Sequence, residues 1–192
     1  VKRKLPPFEG GWAIPGGFVR LSESLEEAAR RELKEEKGAG DIYLEQLYTF
    51  GDVKRDPRGR VITVSYVALI PHFKTTLHAG SDASEAQWWD VANLPSLGFD
   101  HRKIVEYALK RLRWKFEYTA VAFSMLPPKF TLSDLQKLYE IVFNKKFDTR
   151  NFRKKILSLK ILKEEETLSR VAHRPPKLYS SILKSGEIIN IL

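Results

Sequence analysis

The sequence predicts an α+β chain in two domains, with helices packed on a mixed sheet over residues 1–116 and a compact helix-turn-helix module over 117–192. Three observations carry this expectation. The 192 residues exceed what one average domain needs and suffice for two small hydrophobic cores. Apolar residues switch between the 3.6-residue period of helices and aromatic or β-branched runs suited to strands. Basic charge is also uneven. Up to Tyr118 there are 19 Lys and Arg against 17 Asp and Glu, whereas beyond it there are 14 against 7, a local net charge of +7.

Composition narrows the class. At 43% hydrophobic and 30% charged, the chain reads as globular and has no apolar run long enough to span a bilayer, so no membrane partner is expected. The absence of cysteine excludes a disulfide framework and a thiolate metal site. No signal-peptide pattern opens the chain, and a cytoplasmic location is expected. The chain begins at Val1 and its one methionine is Met125, so further sheet strands are expected upstream.

The elements follow in order. A turn-rich entry (Pro6, Pro7, Gly10, Gly11, Pro15, Gly16, Gly17) leads into a helix from Ser24 to Lys37, with Ser22 or Ser24 as its cap. Two β-rich runs come next, Ile42 to Phe50 and Arg60 to Ile70, joined through the turn Asp56-Pro57-Arg58-Gly59. A short strand is expected at Gln87 to Asp90, completing one mixed sheet. Asp100 then caps a helix to about Arg113, whose Ile104, Ala108 and Leu112 form one stripe against that sheet.

The first helix holds the chemistry. At about 100° per residue, Leu25, Ala28, Ala29 and Leu33 share a broad apolar arc. Glu32 and Glu36 fall inside that arc and Glu35 at its edge, while Glu26, Glu27, Arg30, Lys34 and Lys37 point away. Ion pairs Glu26–Arg30 and Glu27–Arg31 suit the exposed face. Gathering Glu32, Glu35 and Glu36 against an apolar surface would cost several kcal/mol unless a cation neutralised them. A hard divalent ion, Mg2+ or Mn2+, fits all-oxygen ligands and leaves positions for water and phosphate oxygens. Gly16 and Gly17 allow a tight turn that brings a carbonyl or N–H close to that ion or phosphate.

Gly17, Glu23, Arg31-Glu32-Leu33, Glu35-Glu36 and Gly38-Ala39 match the Nudix box at every fixed spacing, and the first domain resembles that family. Ala39 is smaller than the usual bulky aliphatic residue there. The resemblance implies an α/β/α sandwich and assigns Glu32, Glu35 and Glu36 as metal ligands or catalytic base. It also gives Gly16 as a carbonyl ligand and Arg31 as a brace to Glu23, with Gly17 and Gly38 as structural positions of the box. It implies Mg2+- or Mn2+-dependent hydrolysis of a nucleoside diphosphate linked to another group, by metal-ion catalysis. The basic loop Lys54 to Arg60 looks like the corresponding loop of ADP-ribose-recognising Nudix proteins, which makes Arg55 and Arg58 candidate ligand contacts; an ordinary hairpin turn fits equally well. Glu85 reads as strand-entry polarity rather than a further ligand. The four histidines, His72, His78, His101 and His173, lack ligand spacing, and none is a catalytic candidate.

The second domain opens with an apolar stretch, Thr119 to Leu126, and the break Pro127-Pro128. Thr131, with Asp134 three residues on, starts a helix whose Leu135, Leu138 and Val142 form a stripe. Asp148 caps a second helix, Thr149 to Leu159, where Phe152, Ile156 and Leu159 share one face and Arg150, Asn151, Arg153 and Lys154 occupy the other. Two β-compatible runs follow, Ile161 to Leu168 and Lys177 to Leu183, joined by a linker from Ser169 to Pro176 that reads as a wing. A winged helix of this kind sets its second helix in the major groove of duplex DNA, with Arg150, Asn151, Arg153 and Lys154 facing bases and Arg174 in the wing and Lys177 just after it reaching phosphate or the minor groove.

Phe130-Thr131-Leu132-Ser133-Asp134-Leu135-Gln136 and Asn151-Phe152-Arg153-Lys154-Lys155, behind a Nudix box, resemble the Nudix-related transcriptional regulators of bacterial NAD metabolism over essentially the whole chain. The resemblance implies a homodimer that binds an operator and senses ADP-ribose or a related metabolite. Related regulators respond to sugars. The alternative from another class is an ADP-ribose-type pyrophosphatase with an accessory C-terminal domain.

Overall fold

The computed structural model describes residues 1–37, 43–70, 83–165, 176–184, 186–189 and 191, with the side chains of Glu36 and Lys37 outside that description. The chain divides into two compact units: Val1–Ala68 with Phe73–Ala108, and Leu69–His72 with Leu109–Leu192.

In the first unit, strand β1 (Lys2–Arg3) pairs antiparallel with β4 (Ala83–Glu85), and β2 (Tyr43–Phe50) pairs with β3 (Thr63–Leu69). Trp12 adds an antiparallel bridge to Lys2 and a parallel one to Leu97, so both strand directions occur. Among the described residues the expected single sheet is thus seen as two strand pairs. The strand expected at Gln87 to Asp90 lies earlier, at Ala83–Glu85. Asp90 instead caps a 3-10 turn, Val91–Asn93, its carboxylate accepting from Ala92 N–H at 2.9 Å. A short acidic side chain offers the backbone this local alternative to a ladder.

Helix α1 (Leu25–Lys37) takes Ser24 as its cap: the hydroxyl accepts from Glu27 N–H at 3.2 Å, and Ser24 N–H donates to the Glu27 carboxylate at 2.7 Å. This reciprocal box satisfies two helix-end donors. It also takes Glu27 away from Arg31, so the expected Glu27–Arg31 pair gives way to the cap while Arg30–Glu26 forms at 2.8 Å. On the apolar side Ala28 is buried, whereas Leu25, in the first turn, stays 44% exposed. Helix α2 (His101–Tyr118) runs beyond its expected end at Arg113, and Ile104 anchors its stripe in the core with Ala13, Leu47 and Ala83.

The second unit is built around Tyr139. A 3-10 turn, Ala120–Met125, capped by Thr119, buries Ala120, Val121 and Ala122 completely. Helix α3 (Leu132–Phe143) begins at a complete Thr131–Asp134 capping box and ends at Asn144 in the left-handed conformation. Helix α4 (Thr149–Ser158) begins at Asp148, whose carboxylate accepts from Asn151 N–H at 2.8 Å. Tyr139 is fully buried, packs edge-on to Phe116 and Phe152, and donates its hydroxyl to the Phe116 carbonyl at 3.0 Å. Strands β5 (Leu162–Glu165) and β6 (Leu178–Ser181) form an antiparallel ribbon from Leu162 opposite Ser181 to Glu165 opposite Leu178. Phe130 bridges to Tyr179 and fixes that ribbon to the entry of α3. The linker expected to be a wing lies outside the described residues, except for Pro176.

Candidate functional site

Helix α1 and the loop before it gather Glu23, Glu32 and Glu35 around one guanidinium. Arg31 donates to both carboxylate oxygens of Glu23, at 2.9 and 2.6 Å, and to Glu32 at 2.6 Å; Glu35 stands 3.6 Å away. A further Arg31 N–H reaches the Phe18 carbonyl at 3.4 Å. The loop is closed from its other end by Arg20 N–H, donating to Glu23 at 2.8 Å. Hydrogen bonds from Arg31 first, then from the Arg20 backbone, hold the Glu23 carboxyl down to about 2, and the same contacts raise the Arg31 guanidinium above its ordinary value.

Gly17 is required by proximity. A Cβ there would overlap the Glu32 carboxylate, with its Cδ only 2.9 Å away. A free Glu side chain could swing aside, but Glu32 is tied to Arg31, so an added methyl group must break that tie or open the loop.

Glu32 and Glu35 are less buried than the helical periodicity predicts. Glu32 is about a quarter exposed and Glu35 about half, and Arg31, whose guanidinium is shared with Glu23, offsets part of their charge. Among the described residues no group of three or more His, Asp or Glu side chains is close enough to hold a metal. Of the other predicted box positions, Gly38 and the Glu36 side chain lie outside the described residues, and Gly16 lies in the loop ahead of Phe18. Glu85 stands 3.7 Å from Lys2, as strand-edge polarity would.

Arg55 and Arg58 have separate fates. The Arg55 side chain is only 3% exposed; it makes a bidentate pair with Asp100, at 3.0 and 2.7 Å, and donates to the Thr63 hydroxyl at 2.6 Å. All three guanidinium nitrogens are used inside the protein. The expected ligand contact is instead a brace from the 52–60 loop to the start of α2, and Asp100 spends its carboxylate on Arg55. Arg58 remains partly exposed. It pairs with buried Asp56 at 2.7 Å, which holds that carboxyl down to about 2, and its guanidinium lies 5.8 Å from the Phe18 ring and 5.5 Å from that of Phe99. Phe18 is 73% exposed, directly after Gly17.

His101 is a site-positioning residue that spacing rules could not find. Its Nδ1 accepts from Ile14 N–H at 3.0 Å, pinning the chain two residues before Gly16. Burial is the main cause that pushes the ring down to about 4, so it serves as a neutral acceptor. No motif marks such a residue, because the signal is one backbone bond made across 87 positions.

In the second unit, Arg150, Asn151, Arg153 and Lys154 are all exposed on α4. Arg153 donates to the Ser133 hydroxyl at 3.0 Å. Lys177, entering β6, stands 2.7 Å from Glu164, and Arg174 lies outside the described residues. Gln136 is buried and donates to Glu140, to the Phe147 carbonyl and to the Thr149 hydroxyl, at 3.1, 3.0 and 3.2 Å. This side chain fixes the turn between α3 and α4 and therefore the attitude of α4.

With this geometry the chain can be compared with known proteins. Residues 1–108 match the NUDIX domain, and residues 122–181 match the NrtR DNA-binding winged helix domain. The chain is 36% identical over 188 residues to the ADPR responsive transcriptional repressor NtrR of Acinetobacter baylyi, spanning 96% of this chain and 75% of that protein. It is 44% identical over 115 residues to the ADP-ribose pyrophosphatase of Methanocaldococcus jannaschii, spanning 60% of this chain and 65% of that one. The crystal structure of Shewanella oneidensis NrtR complexed with a 27mer DNA superimposes with a TM-score of 0.77 at 33% identity, covering 94% of this chain and 84% of that one. A NUDIX domain whose box surrounds Arg31, followed by an NrtR-type DNA-binding winged helix ordered by Gln136 and Tyr139, makes this chain a member of the Nudix-related NrtR family of transcriptional regulators.

Proposed function

We propose that the Nudix unit takes ADP-ribose as its effector, that the winged helices bind duplex DNA as a homodimer, and that the box also hydrolyses the effector with Mg2+ or Mn2+. The observation that carries this reading is an acidic box complete in sequence on the same chain as an NrtR-type winged helix. Similarity over 96% of the chain to a repressor named for its response to ADPR supports the effector, and similarity to an ADP-ribose pyrophosphatase supports hydrolysis. A homodimer suits two half-sites one helical turn apart.

The donor set suits a hard divalent ion. Glu32 and Glu35 offer only carboxylate oxygens, and the cradle at Gly17 keeps Glu32 against the loop backbone. Glu32, Glu35 and Glu36, with the Gly16 carbonyl, would hold the ion, which would neutralise the diphosphate and activate a water. The remaining work belongs to the chain. Arg31 holds Glu23 and keeps the loop closed, and His101 fixes its entry through Ile14. Arg58, oriented by Asp56 beside the exposed Phe18 ring, offers an anionic or aromatic ligand a cation and a flat apolar surface.

Calorimetric titration of ADP-ribose, with and without Mg2+, tests the reading. We expect binding by the wild-type chain, and Mg2+-dependent conversion to AMP and ribose 5-phosphate that Glu35→Gln reduces by orders of magnitude while the melting temperature holds. Absence of heat with ADP-ribose removes the effector assignment; binding without conversion removes only the hydrolase.

A second reading has its own support. Identity to the archaeal pyrophosphatase, 44%, exceeds the 36% to the repressor. Fast turnover in a chain that ignores DNA would make the second unit an accessory domain.

A further inference from the structure

We infer that Arg153 and Ser133 together form a contact to a DNA phosphate, and that base edges are read by Arg150, Asn151 and Lys154; this rests on the DNA-binding reading above.

The four polar residues of α4 are not equivalent. At about 100° per residue, Arg150 and Lys154 lie about 40° apart on the outer face, opposite the buried Phe152 and Ile156. Asn151 flanks them on one side. Arg153 lies about 60° to the other side, where α4 meets the first turn of α3, and there its Nη2 donates to Ser133 Oγ at 3.0 Å. Among the described residues the side chains of Arg150, Asn151 and Lys154 make no hydrogen bond or ion pair, so Arg153 is the member of the set that is committed in advance.

The chemistry of the pair selects its ligand. The neighbouring cap is already satisfied, because Thr131 and Asp134 bond each other's backbone and side chain. Ser133 is exposed, and with its oxygen accepting from Arg153 its own hydrogen remains to be donated. The guanidinium keeps further N–H groups and a full positive charge. Two different helices thus present donors at one point. A base edge in the major groove is read by one fork aimed into the groove, whereas a bridge between the two helices faces the strand flanking it. A phosphate oxygen, negatively charged and acceptor-only, meets both donors. Pre-ordering by Ser133 removes part of the rotamer cost that a free arginine carries into binding.

The experiment uses the full chain and two duplexes: the sequence enriched by the wild-type chain from a random pool, and a scrambled copy. Fluorescence anisotropy gives the affinity for each from about 50 to about 200 mM salt, the range over which phosphate contacts dominate. Arg153→Ala should weaken both duplexes by the same factor, roughly tenfold, and reduce the slope of log affinity against log salt by about 1. Ser133→Ala should weaken both by a smaller common factor with the slope unchanged, and its effect should shrink in the Arg153→Ala background. Arg150→Ala should instead erase preference for the enriched duplex. Circular dichroism on each variant checks that α3 and α4 persist. A tenfold loss of preference in Arg153→Ala, or additive effects of the two substitutions, overturns the assignment. A wild-type chain that binds neither duplex, or binds without salt dependence, overturns the DNA-binding reading and this inference with it.

Discussion

Replacing His101 with glutamine should abolish a specific acid sensitivity of the first unit. The His101 ring accepts the Ile14 N–H and is held down to about 4 from an ordinary 6.5, chiefly by burial. Its pKa is therefore lower in the folded than in the unfolded chain. The unfolded chain binds the extra proton first, so stability is full above about 6.5 and is lost as pH falls toward about 4. Between about pH 7 and pH 5 the shift is worth at most about 2 kcal/mol, from the proton uptake of the unfolded state alone. Urea unfolding followed by tryptophan fluorescence suits the measurement, since Trp12, Trp88 and Trp89 of the four tryptophans lie in the first unit. His72, His78 and His173 are common to both proteins, so the difference between wild type and His101→Gln isolates His101. That difference should shrink by about 2 kcal/mol as pH falls from about 7 to 5. A constant difference across this range would refute the neutral-acceptor role.

Arg55→Ala should lower the thermal stability of the first unit by about 3–5 kcal/mol, because it strands the nearly buried Asp100 carboxylate; an unchanged melting temperature with weakened ligand binding would restore Arg55 to the ligand site. Gly17→Ala should weaken Mn2+ binding, read by paramagnetic resonance of the free ion, at least tenfold while melting changes little, since the added methyl group displaces a carboxylate rather than core. Unaltered Mn2+ affinity would separate Glu32 from the metal. Tyr139→Phe keeps the ring and loses the hydroxyl bond to Phe116, which should cost about 1 kcal/mol in unfolding of the second unit and leave the Phe116 carbonyl unpaired. A neutral result would show that the hydroxyl bond contributes nothing net.

The second unit was more legible from sequence than the first, for physical reasons. Thr131 with Asp134, and Asp148 before Thr149, are local capping signals that need no tertiary knowledge, and both helices begin where those residues sit. The stripe of α4 also holds, with Phe152 and Ile156 buried. Sequence reasoning failed where one side chain had two competing partners. Glu27 caps rather than pairs with Arg31, Asp100 pairs with Arg55, and Asp90 nucleates a 3-10 turn instead of ending a strand. Helical periodicity located the carboxylates of α1, but it could not show that Arg31 would be shared between Glu32 and Glu23, because that depends on the loop returning Glu23 to the helix. Long-range bonds such as Ile14 to His101 leave no trace in local pattern.

Regulation requires that the effector bind two states of the protein unequally, since a ligand indifferent to DNA-bound and free forms shifts nothing. The most direct measurement is therefore anisotropy of the full chain on its enriched duplex, at constant salt and without divalent metal to prevent turnover, as ADP-ribose is added. The account predicts release of the duplex, with at least a fivefold rise in the dissociation constant at saturating ADP-ribose. Unchanged DNA affinity, with ADP-ribose shown by calorimetry to be bound under the same conditions, would contradict it.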